Sequence, residues 1–127
     1  MEVYGLTGLG RLANARAMPE VAMRYARESL PVVRRIRVAW GIPFVLDICL
    51  CALSHTGEYE AAAQLAGFAE AERERIGAPL PVPYVDLYRP QYDAARAGLG
   101  SDRYDALCEQ GRTLTIPQAF ALAGIEY

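Results

Sequence analysis

The sequence contains no lysine; all 13 of its basic residues are arginine. That absence excludes a phosphate-binding loop ending in Gly-Lys-Ser/Thr, a Schiff base and a pyridoxal attachment. Arginine at every basic position fits GC-rich coding, so the expected source is a GC-rich bacterium. Histidine is nearly as scarce, with His55 alone, so a histidine-based triad or metal site has one ring to use. Cysteine is limited to Cys49, Cys51 and Cys108, an odd set without Cys-x-x-Cys spacing. On a helix Cys49 and Cys51 point about 200° apart, too far to pair or to chelate together. They are expected to be reduced thiols, at least one of them buried. No run alternates apolar and polar residues between turn signals, so no strand is expected. The longest apolar run, Phe44 to Leu53, is too short to cross a bilayer, which takes about 20 residues. Met1-Glu2-Val3 lacks the basic start and apolar core of a signal peptide, which makes the cytoplasm the expected location and leaves no membrane partner.

What is present is one domain's worth of chain, 127 residues that are 53% hydrophobic and 22% charged. The formal net charge of −2 sets up no field toward nucleic acid or anionic lipid. The segment from Trp40 to Gly57 reads as the organising element. From Phe44 to Leu53 every side chain but Asp47 is apolar, so this helix is apolar on nearly every side and belongs among other helices. Pro43 fits its first turn and Gly57 its left-handed close.

Around it the apolar spacing is helical. Val3, Leu6, Leu9 and Ala13 predict a first helix over Glu2 to Ala15. Gly5, Gly8 and Gly10 weaken it by up to about 1 kcal/mol each, which suggests close approach of a neighbouring helix. As a phosphate cradle the same glycines fail, with no strand before them and no lysine after. Pro19 opens a second helix, with Pro31 expected to kink it or end it early. Arg34, Arg35 and Arg37 close that helix, where cations complement the macrodipole; the alternative is a nucleic-acid patch. Glu58 to Ile76 is amphipathic, with Tyr59, Ala62, Ala63, Leu65, Ala66, Ala69 and Ile76 inward. Glu60, Gln64, Glu70, Glu72, Arg73, Glu74 and Arg75 are assigned to a solvated outer face. Residues 78–83 form a proline-rich extended connector. A helix follows from Val85 to Leu99, with Tyr84, Tyr88, Tyr92, Ala95 and Leu99 on one side and Pro90 interrupting it. Ser101 is expected to cap a short helix that Gly111 stops, and Thr115 with Gln118 forms a capping box for a last one from Pro117 to Ala123. The fold class is therefore all-α. Residues 1–77 form two antiparallel helical hairpins, and residues 84–127 a C-terminal group of shorter helices, within a single domain spanning 1–127.

Two segments share a spacing. Leu9-Gly10, Ala22 and Ser29 recur as Cys49-Leu50, Ala62 and Ala69, an offset of 40 residues and a helix-hairpin repeat length. With Gly57-Glu-Tyr59 as the turn into the second helix, this resembles tetratricopeptide-repeat hairpins stacked as a short right-handed superhelix. Trp40-Gly-Ile, Gly57 to Gly67, Glu70 to Pro81, Ala94 to Gly100 and Glu109 to Thr115 follow one further pattern in order. It is similar to the C-terminal tetratricopeptide-like end of large bacterial ATPase-type regulators, among them LuxR-type transcriptional activators and cyclase-linked ATPases. Met18-Pro19 departs from the usual Gly-Asp turn, and Pro31 and Pro90 break the regularity. The resemblance implies no catalytic residue in this segment and no cofactor.

The candidate residues follow. His55 sits at a helix end, where its cation interacts well with the dipole, and a metal site has no spacing to support it. Asp47, a carboxylate on a buried helix, needs a cation, expected from Arg24 or Arg27. Trp40, Asp47, Tyr88, Arg89 and Tyr92 form the candidate ligand or partner surface. Val3, Tyr4, Leu6, Leu9 and Leu12 form a candidate homodimer face on the first helix. The expected function is a non-enzymatic interaction and regulatory module with a protein or peptide partner and no direct nucleic-acid contact. The alternative is a small-molecule effector sensor with a pocket between the helices.

Overall fold

The computed structural model describes residues 2–127, with side chains from Gly5 onward. Among the described residues it is all-helical: α1 (Glu2–Ala15), α2 (Pro19–Ile36), α3 (Gly41–His55), α4 (Tyr59–Ile76), α5 (Val82–Leu99), α6 (Ser101–Gly111) and α7 (Ile116–Leu122). From α1 to α6 consecutive helices pack on each other, α7 packs on α4, and α3 touches α1, α2, α4 and α5. Its chain is buried continuously from Val45 to Ser54, which is what a helix apolar on all sides demands.

The 40-residue offset is written into the turns. After α3, Gly57 takes a left-handed φ of 80°, Gly57 N–H donates to Ser54 O and Glu58 N–H to Leu53 O. This is the paired bonding that satisfies the last carbonyls of a helix. After α1 the same bonds run from Ala17 to Asn14 O and from Met18 to Ala13 O, with Ala17 at φ 55°. Ala17 therefore carries strain that Gly57 does not. Arg37 (φ 56°) and Gly77 (φ 66°) end α2 and α4 in the left-handed region at the same offset; Gly77 and Ala78 repeat the paired bonds, to Glu74 O and Arg73 O, whereas Arg37 N–H bonds to Val33 O.

The third pair of helices joins differently. A β-carbon on Gly67 of α4 would lie 1.8 Å from the Cys108 carbonyl oxygen, and one on Gly111 of α6 would lie 1.8 Å from that of Gln64. The backbones of α4 and α6 thus meet directly. Gly111 is a buried contact inside α6, not its stop signal. The N-cap of α6 is Gly100, at φ 84°, and Ser101 makes no capping hydrogen bond. α7 begins with the expected capping box: Thr115 Oγ1 accepts from Gln118 N–H, and Gln118 Oε1 accepts from Thr115 N–H at 2.9 Å. The chain end folds back on α2, where Arg34 stacks over the Tyr127 ring at 4.6 Å and donates to the Tyr127 carbonyl.

Several expectations need correction. α2 and α5 run through Pro31 and Pro90 without ending. Both prolines are exposed, so the carbonyls they leave without a helical donor face water. α5 starts at Val82, ahead of Val85, with Pro81 as its N-cap and Pro83 in its first turn, where a missing N–H costs nothing. Of the three α1 glycines only Gly10 meets a neighbouring helix, where an added β-carbon would come within 2.8 Å of Ile48 Cδ1. Among the described residues Gly5 has nothing within 4 Å, and Gly8 only Arg11 of its own helix.

Candidate functional site

The site grows from Asp47. Its side chain is 0% exposed and its Oδ2 accepts from Arg73 Nη2. Arg24 and Arg27, the expected partners, stand on exposed positions of α2; Arg24 lies over Tyr25. The Glu/Arg run assigns Arg73 to the solvated face of α4, yet the structure buries it. The helical phase agrees with the burial: Arg73 follows Ala69 by one turn and precedes Ile76 by another, so it continues the inward stripe. Burial pushes the Asp47 carboxyl from 3.8 up to about 6, and the Arg73 charge and hydrogen bond pull back only part of that rise. Asp47 Oδ1 has no hydrogen-bond partner among the described residues.

α5 crosses above this pair and lays its tyrosines toward it. Tyr88 is buried and Tyr92 half-buried; burial, then the Asp47 charge, raises both phenols well above their ordinary range, so both are neutral donors. Burial likewise pushes the Cys49 thiol up to about 12 and raises Cys51, so neither is a nucleophile near neutrality. Trp40 is linked to this region through aromatic edges. Its ring lies 5.0 Å from Phe44, Phe44 lies 5.6 Å from Tyr84, and Tyr84 stacks on Tyr88 at 6.3 Å. Arg11 of α1 covers Tyr84 at 4.6 Å. Arg89 stays outside the group, exposed and paired with Asp86 at 3.3 Å. His55 is exposed at the end of α3, with Gln91 Nε2 3.4 Å from its Nε2.

Two clefts open on either side of the connector, and Arg73 and Pro79 belong to both. The larger, about 630 Å³, lies among α4, α5 and α6, with Leu80, Val85, Tyr92 and Tyr104 on its walls. The smaller, about 240 Å³, lies against Trp40, Phe44 and Pro81. Asp47 lies in the core behind Arg73, so the candidates divide between two openings. Arg73, Arg96 and Tyr104 are the wall residues that sequence reading missed. Arg96 stacks over Tyr104 at 4.4 Å and pairs with Asp105 at 3.1 Å. A depression of about 640 Å³ between α2 and the chain end collects Arg27, Arg34 and Arg35 but has no buried polar side chain. On α1, Leu9 and Leu12 are 43% and 46% exposed. Leu6 is half-buried, and the side chains of Val3 and Tyr4 lie outside the described residues.

No helix among the described residues is long and apolar enough to cross a membrane, and no group of three or more His, Cys, Asp or Glu among them is arranged to hold a metal ion.

The chain is 24% identical over 121 residues to a Mycobacterium bovis protein described as "Putative HTH-type transcriptional regulator". It is similar to the same extent to proteins of that description from two strains of Mycobacterium tuberculosis. The alignment takes in 95% of this chain and 14% of each relative, so the chain spans about a seventh of their length. No family model matches the chain, and neither does any solved structure.

Proposed function

We propose that the chain is a non-enzymatic interaction module of a bacterial transcriptional or signalling regulator. In this reading it is a cytoplasmic segment that receives a protein or peptide partner and passes that binding to an effector domain. The observation that carries the proposal is the alignment of 95% of the chain with a 14% portion of the mycobacterial regulators. The recurrence of left-handed residues at Ala17 and Gly57, and at Arg37 and Gly77, supports stacked tetratricopeptide-like hairpins. The finer reading, a C-terminal end of a LuxR-type or related ATPase-type regulator, rests on the resemblance in sequence. Direct contact with nucleic acid is no part of the role, since the chain is acidic and Arg34 is engaged with Tyr127. Deleting the coding region in its host and sequencing transcripts tests the proposal. A defined gene set should change and be restored by the wild-type chain; an unchanged transcriptome would reject it.

A second reading, a small-molecule effector sensor, is favoured by one observation. The 630 Å³ cleft has the size of a small-molecule site and is lined in part by a nine-tenths-buried arginine, Arg73.

A further inference from the structure

Around the cleft among α4, α5 and α6, the acidic residues have their cations beside them at the surface. Arg112 takes Glu70 at 3.0 Å and also Glu74, and Arg96 takes Asp105 at 3.1 Å. Arg73 is arranged the other way. Its carboxylate, Asp47, lies behind it in the core while the Arg73 side chain lines the cleft. The one hydrogen bond it makes among the described residues leaves through a single Nη2. A guanidinium carries five N–H donors in a planar fork suited to a second carboxylate. Its side chain is 10% exposed, and Arg73 lines both clefts. Next to it stands Tyr92, a neutral phenol, and the remaining wall is apolar or aromatic at Leu80, Val85 and Tyr104.

We infer that this cleft is a receptor site for a small amphiphilic monocarboxylate, its anionic head on Arg73 and Tyr92 and its apolar body against Leu80, Val85 and Tyr104. The inference rests on the effector-sensor reading and names its ligand class. Asp47 already balances most of Arg73's charge, so the site suits a single negative charge and disfavours a dianion such as phosphate. The bound anion repels Asp47, whose other charged or titratable neighbours are Arg27 near Cys49, Cys49 and Cys51 on its own helix, and Tyr88 and Tyr92 on α5. Arg11 is felt there through Tyr88. Ligand binding therefore draws a proton onto Asp47, and affinity rises as the pH falls from 8 toward about 6.

Isothermal titration of the full chain with decanoate and indole-3-butyrate, each against its primary amide, tests this. The acids should bind saturably and at least tenfold more tightly than the amides. They should take up protons in buffers of different ionisation enthalpy, and they should lose binding in Val85→Glu. That substitution sets a negative charge at the cleft mouth, in the first turns of α5, where the helix dipole tolerates it. Asp47→Asn should keep the binding and lose the proton uptake. Because Arg73→Gln strands Asp47 and can unfold the chain, the Asp47→Asn, Arg73→Gln double variant is the informative one; it should bind acid and amide alike. Equal binding of acids and amides by the wild type would overturn the assignment to Arg73 while leaving an effector cleft in place. No saturable heat from any probe would overturn the carboxylate class. A thermal shift from a metabolite extract, abolished by Val85→Glu, would then show the sensor reading standing without it.

Discussion

A carboxylate moved wholly out of water loses several kcal/mol of hydration, and Asp47 recovers only part of it, since one of its two oxygens has no partner. The pair therefore positions α3 against α4 without being a net source of stability. Removing one member is another matter: Asp47→Ala should cost about 3–5 kcal/mol by stranding the Arg73 charge, whereas Asp47→Leu with Arg73→Leu should lie within about 1 kcal/mol of wild type. Denaturant melts of both variants check this, and equal losses in the two would contradict it. The pH dependence has a definite sign. The folded carboxyl holds its proton up to about 6 against an ordinary 3.8. Its protonation thus favours the folded state, fully below 3.8 and progressively less as the pH rises through about 6. At 1.36 kcal/mol per unit the swing is about 3 kcal/mol, and in Asp47→Asn that part of the pH dependence should vanish. Ala17 offers a test in the stabilising direction. It holds a left-handed φ of 55° where its repeat counterpart is Gly57. Ala17→Gly should raise stability by about 0.5–1 kcal/mol, with Gly57→Ala lowering it by a similar amount.

Among the elements, what was legible in the sequence is what local chemistry decides. Both ends of α1 and α4 and the start of α2 agree with the sequence-based expectation to within a residue, because proline, glycine and apolar phase act over a few positions. Arg73 was legible too. Its phase with Ala69 and Ile76 put it inward, and the surrounding Glu/Arg run obscured that signal. The early end weighed at Pro31 and the break at Pro90 do not occur, because a proline's effect depends on which way it faces, and exposure at Pro31 and Pro90 is a tertiary fact. The α4–α6 crossing was beyond reach: Gly67 and Gly111 look like a weak helix position and a stop signal until the two backbones are brought together. That crossing is a firm prediction in its own right. Gly67→Ala places a carbon 1.8 Å from the Cys108 carbonyl, so α6 must move. The expected loss is about 3 kcal/mol, with Cys108 becoming more reactive toward thiol reagents while Cys49 and Cys51 stay protected until global unfolding. Unaltered Cys108 labelling in that variant would show that the two helices do not meet there.

At the scale of the whole molecule, the internal repeat gives meaning to the exposed face of α1. Leu9 and Leu12 occupy the positions that Cys49 and Ala52 occupy in α3, and those are 0% and 1% exposed beneath the neighbouring hairpin. The face on α1 is thus of the kind that stacks, and a two-fold contact between first helices would cover it. Sedimentation at micromolar concentration should give a homodimer for the wild type and a monomer for Leu9→Glu, Leu12→Glu; a wild-type monomer would contradict this. The central claim is that the chain regulates by binding, without chemistry of its own. Its most direct test is transcript sequencing of the deletion strain complemented with either the wild type or the Val85→Glu variant, each first shown to melt at the same temperature. The account predicts that the wild type restores the affected transcripts and that the folded, cleft-blocked variant leaves the deletion pattern in place. An unchanged transcriptome in the deletion strain would contradict it, whereas full restoration by Val85→Glu would reject the effector cleft and leave partner binding elsewhere on the chain.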